Sequence, residues 1–298
     1  MVEVRPAAPG DGAGIAAVYA ASLPWLVKTA RGVEAELSPG TGRLVLVAAE
    51  ADTIVGFGNV FRPDPAEDAP RVRIAAHVAP QHRGRGIGRT LAAEVERIGT
   101  EFGAASLLTV VDDAAAARRF AERRGFVIDR PMSQSRARLA DSPDPVDPPA
   151  GLRLTTYDEL DPRQVWDATA AVVAGDPSGL SHAPPYEDWL ETDWNYPDLR
   201  RDLSVAVLDG DRVASFVTTT ADPDRRVIWS NLTGTVAAYR GRGLAKVVKS
   251  HALRRAHAAG LETAFTGNDA DNRPMLAVNR WLGYRPAGSA WTAGKVLR

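Results

Sequence analysis

Two short runs in this chain combine arginine with closely spaced glycine. They are Arg83-Gly84-Arg85-Gly86-Ile87-Gly88-Arg89 and, about half a chain later, Arg240-Gly241-Arg242-Gly243-Leu244-Ala245. Each follows an apolar run ending in valine, Val78 or Val236, and each opens a stretch of helical pattern. The first N–H groups of a helix have no internal partner, and the helix dipole adds partial positive charge there. A strand, a glycine turn and a helix start therefore make an anion site that suits a pyrophosphate. Glycine lets the backbone approach phosphate oxygens without an intervening Cβ. The flanking arginines add charge. Each motif is followed at a similar distance by a glycine-aromatic pair, Gly125-Phe126 and Gly283-Tyr284. Two copies in matching halves point to one nucleotide-type cofactor.

A P-loop site for a nucleoside triphosphate requires Gly-Lys-Ser/Thr, which neither copy has. A dinucleotide fold places its glycines after an early parallel strand, with an acid about 20 residues on. Here the glycines follow four strands. The first half reads as a strand at 2–5, helical segments at 15–21 and 25–37, and a hairpin of strands at 43–49 and 53–61. Then come a strand at 72–78, the motif helix, a strand at 106–111, a helix at 114–124, and strands near 126 and 135–139. The second half repeats the order. A strand lies at 152–154 and a helix at 164–173. A hairpin turns at Asp209-Gly210, and the long strand 227–236 leads to the motif helix 244–259. A strand at 262–266, a helix at 272–282 and a closing strand at 288–296 follow. Each half is thus β-α-α-β-β-β-α-β-α-β, an α+β layer. The proline- and aspartate-rich run 141–150 reads as an extended linker. It divides the chain into domains at 1–140 and 151–298.

Composition narrows the partners. The chain has 298 residues, enough for two domains, and 45% are hydrophobic, enough for two cores. The net charge is −1 with no basic tract, so nucleic acid is not expected as a partner. The absence of cysteine excludes disulfides, thiolate metal sites and a thiol nucleophile. No His/Asp/Glu cluster has metal-ligand spacing, so no metal is expected. No apolar run is long enough to span a membrane, and Met1-Val2-Glu3-Val4-Arg5 has no leader pattern, so a cytoplasmic protein is expected.

The pattern Arg-x-x-Gly-x-Gly/Ala, in this order of elements, resembles the GNAT acetyltransferases, as two tandem copies covering nearly the whole chain. The resemblance implies two domains, each a mixed, mostly antiparallel sheet flanked by helices. It implies acetyl-CoA as co-substrate, with its pyrophosphate on residues 83–89 and 240–245. The pantetheine would pair with backbone at Val78 or Val236 where neighbouring strands splay. The family commonly has an asparagine at the start of the next helix, matched here by Asn272, whereas the first half has Ala114. It often has a tyrosine acid before the glycine-aromatic pair; Ala121 and Asn279 stand at those places. Asn279 retains a hydrogen-bond donor toward the thiolate or carbonyl, and Ala121 does not. The second half resembles the catalytic halves of tandem actinobacterial members, so the working site is expected there. His77 ends the matching strand of the first half, where it is a base or a structural histidine.

The segment 182–194, rich in aromatics and acids, falls where such folds shape the acceptor pocket. Glu191 and Asp193 would attract a cationic amine. The other reading of the segment is an amphipathic helix with a solvated acidic face and tryptophan in the core. The expected reaction is direct transfer of acetyl to a primary amine of a small molecule. A protein or peptide amine is the nearest rival. A CoA-binding sensor without turnover is the rival of another class, favoured by the absent tyrosine.

Overall fold

The computed structural model describes residues 2–38, 40–63, 69–174 and 183–297. In chain order the elements are β1 (Val2–Pro6), α1 (Gly12–Ser22), α2 (Ala30–Glu36), β2 (Arg43–Glu50), β3 (Thr53–Phe61), β4 (Arg71–Val78), α3 (Ile87–Glu101), β5 (Ser106–Asp112), α4 (Ala115–Arg123) and β6 (Val127–Arg138). The order then repeats: β7 (Arg153–Thr156), α5 (Pro162–Val173), α6 (Tyr186–Trp189), β8 (Val205–Asp209), β9 (Arg212–Asp222), β10 (Val227–Thr235), α7 (Leu244–Ala258), β11 (Thr263–Asp269), α8 (Arg273–Trp281) and β12 (Arg285–Val296). The helix α6 runs on as a π-helical turn, Leu190–Trp194. Both repeats follow the expected order. The second helix of the first repeat is shorter than expected, because Thr29 caps α2 by accepting the Gly32 N–H at 3.0 Å.

Backbone contacts divide the chain into two compact units. The first comprises residues up to Pro131 together with those from Ser289 onward; the second is Met132–Gly288. In the first unit the strands lie in the order β1-β2-β3-β4-β5-β12, and only β4 and β5 run parallel. In the second the order is β6-β11-β10-β9-β8-β7, and only β10 and β11 run parallel. Each sheet is mixed and mostly antiparallel.

The closing strands differ from the sequence expectation. Residues 132–138 of β6 pair with β11 of the second unit, and residues 290–296 of β12 pair with β5 of the first. Each repeat's last strand thus completes the other repeat's sheet. The sequence order places each closing strand beside its own repeat, and nothing local in either strand specifies the exchange. The run 141–150 is extended, as its prolines require, and it is anchored on α7. The Val146 N–H donates to Ser250 Oγ at 3.1 Å, the Val146 carbonyl meets His251 Nε2 at 3.1 Å, and Arg254 pairs with Asp144.

Both faces of each sheet are covered, so central strands are apolar on both sides. In the first unit Leu46 and Ala48 of β2 turn to α3, which presents Ile87, Leu91, Val95 and Ile98 at helical spacing. Val45 and Val47 turn the other way, to Ile15, Val18 and Tyr19 of α1. The second unit repeats this with Val205 and Val207 against Leu244, Val247 and Val248 of α7, and Ala206 and Leu208 against Val165 and Ala168 of α5. Each such Leu, Val or Ile contributes about 1.5–3 kcal/mol when fully buried. These contacts fix the helix that follows each glycine motif against its sheet.

Candidate active site

Both units contain a split between their two parallel strands. In the second, β10 and β11 are paired only from Val227↔Thr263 to Ser230↔Thr266. Beyond that point β10 shifts register against β9 between Ser230 and Thr233, while β11 continues along β6 to Asp269. The strands diverge, and the bulge supplies the bend. In the first unit β4 and β5 pair only from Arg71↔Ser106 to Arg73↔Leu108, although β4 runs on to Val78.

At the open end of each split sits the glycine loop. Gly84 and Gly86 have φ of 79° and 87°; Gly241 and Gly243 both have 77°. These left-handed values strain any residue with a Cβ, which is why the positions are glycine. The next helix starts immediately. The backbone N–H groups of residues 84–88 and 241–245 find no backbone partner among the described residues. Each loop is therefore a concave set of free donors at a helix start, as its sequence predicts.

The arginines divide their work. Arg83 Nε donates to the Val78 carbonyl at 3.1 Å, and Arg240 Nε to the Thr235 carbonyl at 3.2 Å. The first arginine of each motif braces the loop against its strand. This equivalence corrects one expectation: the residue matching Val78 is Thr235, not Val236. The Val236 N–H donates to the Ala214 carbonyl at 3.0 Å, and its carbonyl accepts from the Tyr239 N–H at 2.9 Å. By the alternation of an antiparallel ladder, Thr233 and Thr235 then turn their N–H and C=O groups toward the split. Ala79 bonds Val55, so Val78 likewise faces the split. A one-residue step along a strand reverses the face, and a shared valine in the sequence hid that step.

The second arginines differ. Arg85 is held by Glu50 through two hydrogen bonds, of 2.5 and 3.0 Å, and also contacts His82. Arg242 lies over the Tyr239 ring at 5.9 Å, and Tyr239 instead donates its hydroxyl proton to Asp209 at 2.9 Å. Arg89 begins the helical ladder by donating its backbone N–H to Gly86.

Asn272 caps α8, its Oδ1 accepting the Met275 N–H at 3.2 Å, which leaves its amide N–H groups free for a ligand. Asn279 is 2% exposed. Its Nδ2 donates to Asn268 Oδ1 of β11 at 2.7 Å, and its own Oδ1 is buried without a partner. Ala121, the equivalent position in the first unit, is plain core. Trp189 and Trp194 are buried in an aromatic cluster with Tyr157, Trp166 and Tyr186, while Glu187, Asp188, Glu191 and Asp193 are exposed. The amphipathic reading of this segment thus describes its packing. His182 lies outside the described residues.

In the first unit His77 packs on Phe57 and Tyr19, with ring centroids 5.1 and 6.3 Å away. Burial, with a smaller contribution from Arg83, pushes its pKa down to about 4, so it is neutral near pH 7. Asn59 donates to the buried Tyr19 hydroxyl at 2.9 Å. Sequence reasoning passed over Lys249, which is 1% exposed on the inner side of α7. Its spacing from Leu253 and Ala256, on an otherwise apolar helix face, was the available signal.

Among the described residues no group of three or more His, Asp and Glu is placed to hold a metal ion. No described helix is long and apolar enough to cross a membrane.

A split parallel pair with a glycine loop and a free helix start at its mouth, present twice, defines a tandem acyl-CoA-dependent transferase fold. The sequence model of the Acetyltransferase (GNAT) family matches residues 16–126 and 168–284, and the chain belongs to that family. It is an acetyltransferase, and the family's co-substrate is acetyl-CoA. Among curated relatives it is 30% identical over 247 residues to a mycothiol acetyltransferase of Streptomyces avermitilis, covering 80% of this chain and 75% of that protein. It is 28% identical to the protein of that name from Streptomyces bingchenggensis, over 80% and 76% of the two chains. Of solved structures, a tandem GNAT protein from the clavulanic acid biosynthesis pathway superimposes with a TM-score of 0.75 at 19% identity, covering 99% of this chain and 98% of that one. A GCN5-related N-acetyltransferase from Sphaerobacter thermophilus gives 0.72 at 17% identity, over 100% and 96%. The last two likenesses concern the fold alone.

Proposed function

We propose that the second unit transfers acetyl from acetyl-CoA to a primary amine of a small molecule, and that the first unit binds the cofactor without turnover. The observation that carries this reading is the contrast in side chains around two nearly identical backbone cradles. Where the first unit has Ala121 the second has Asn279, hydrogen-bonded to Asn268 of β11, and where the first split's last pair holds Arg73 the second has the uncharged Ser230. The mycothiol acetyltransferase relatives support a small-molecule acceptor.

In this reading the diphosphate rests on the N–H groups of residues 241–245, with Arg240 and Arg242 beside it. In the first unit residues 83–89 play the same part. Pantetheine adds to the free edge of β10 at Thr233 and Thr235, and of β4 at Val78. Asn272 offers its free amide to the cofactor. The acceptor nitrogen, once neutral, attacks the thioester carbonyl, and the thiolate leaves. The exposed acids Glu191 and Asp193 draw the ammonium form of the acceptor to the rim and take its proton through water. Pairwise replacement by Gln and Asn should raise KM for the amine a few-fold and also lower kcat, because the groups that take the proton are gone. A cytoplasmic setting suits a free acetyl-CoA supply.

The test is thiol release from acetyl-CoA with a panel of small amines and, separately, peptides. Turnover with small amines only is the expected result. Turnover confined to peptides would replace the acceptor assignment.

A further inference from the structure

Lys249 is among the largest fully buried side chains, yet no hydrogen-bond or ion-pair partner is found for it among the described residues. An unpaired ammonium in the interior is costly, and such groups concentrate at functional sites. Its Nζ lies 5.2 Å from the centre of the Tyr284 ring. Tyr284 follows α8 and donates its backbone N–H to the Asn279 carbonyl at 3.0 Å. Its phenol points toward Ser230, the last residue of β10 paired with β11, without reaching hydrogen-bond geometry. Lys249 is therefore connected through Tyr284 to the vertex of the split. The Tyr284 hydroxyl and Asn279 Oδ1, on the sheet face that α7 and α8 cover, are both buried without partners. Two orphaned polar atoms beside one strand junction indicate that a bound molecule completes the site.

We propose that Lys249 is the general acid of the second unit, donating a proton from Nζ to the coenzyme A sulfur as the thioester breaks. The proposal rests on the reading that this unit is the working one. The acceptor nitrogen forms the new C–N bond to the acetyl carbon. The C–S bond breaks, and its electron pair leaves on sulfur. The Nζ proton neutralises that thiolate, giving free coenzyme A and the amide. The proton lost by the acceptor nitrogen returns to the lysine through solvent, so the step balances. This supplies the acid that neither Asn279 nor Ala121 provides.

The electrostatics agree. Burial alone pushes the Lys249 pKa down to about 7, near that of a thiol, where an acid is most effective. Of the groups facing it, Tyr284 is held neutral by burial, with its pKa pushed up to about 12. Asn279 and Ser230 carry no charge. On α7 itself Lys246 is turned to the Trp281 ring at 5.0 Å, and in the loop before it Arg242 is turned to Tyr239.

The experiment compares Lys249→Met and Lys249→Arg with the parent chain across pH, beside Gly243→Val as control. The Met variant should lose turnover about 100-fold at neutral pH and lose the fall in kcat that the parent shows as pH rises through the lysine's pKa. It should bind acetyl-CoA within about threefold of the parent, and it should melt at higher temperature, because an unpaired buried charge is gone. Arginine keeps the charge but holds its proton too tightly to donate it, so it should not rescue. A lysine that only positions neighbours would be rescued by arginine, and that result overturns the proposal. So does a Met variant with the parent's rate and pH profile. If that variant fails to fold, Lys249→Gln takes its place. Loss in Gly243→Val with no loss in Lys249→Met refutes the acid alone; no loss in Gly243→Val refutes the choice of unit.

Discussion

The two glycine loops share a backbone and a bracing arginine and differ in the side chains around the split. Both have paired left-handed glycines, a helix opening at once, and a first arginine bonded to the carbonyl of the preceding strand. Around the first split the equivalent places are Ala92, Ala121 and Phe126; around the second they are Lys249, Asn279 and Tyr284. The first loop's Arg85 is held by Glu50, while the second loop's Arg242 rests on an aromatic ring. The backbone cradle at the helix start is present in both copies. The side chains at the vertex differ, and the proposed division of labour rests on that difference.

The sharpest way to break this comparison is to damage each loop in turn. Gly243→Val forces a Cβ into a left-handed turn and should reduce turnover by more than about 100-fold, whereas Gly86→Val should leave it within about threefold. Steady-state rates, with melting curves to confirm folding, decide it; equal losses would make the units equivalent. Asn279→Ala should cost about tenfold in kcat, the scale of one buried hydrogen bond. Ala121→Cys, a small change in the first unit, should cost nothing. A binding experiment sharpens the contrast at the mouth of the split. Glu50→Gln frees Arg85 and should tighten acetyl-CoA binding to the first unit by no more than about fivefold in calorimetry, since an exposed ion pair is weak. The smallest effect is on stability. His77 stays neutral in the fold down to about pH 4, whereas an unfolded histidine protonates near 6.5. The unfolded chain therefore binds more protons in that window, and stability is lost as pH falls from 6.5 through 4. His77→Gln should flatten this part of the melting-temperature profile; an unchanged slope would show the ring is not desolvated.

Much of this was legible in the sequence because it was written in local rules. Glycines at 84, 86, 241 and 243, the apolar faces of α3 and α7, and the Asp209-Gly210 hairpin each specify their own conformation. The exchange of closing strands is not legible, because strand partners far apart in the chain are set by tertiary packing and not by local rules. The face of β10 was misread at Val236, because only hydrogen bonding reveals which of two adjacent residues turns to the split. Lys249 was missed because a lysine in a helix reads as surface until its neighbours at 253 and 256 are seen to be core.

Free backbone amides at the two helix starts, and the open edge of β10, should receive the cofactor. Amide hydrogen exchange with and without acetyl-CoA reads those groups directly. The account predicts strong slowing at residues 241–246 and at Thr233 and Thr235, with slowing at 84–89 as well. Unchanged exchange at both loops under saturating acetyl-CoA would contradict it.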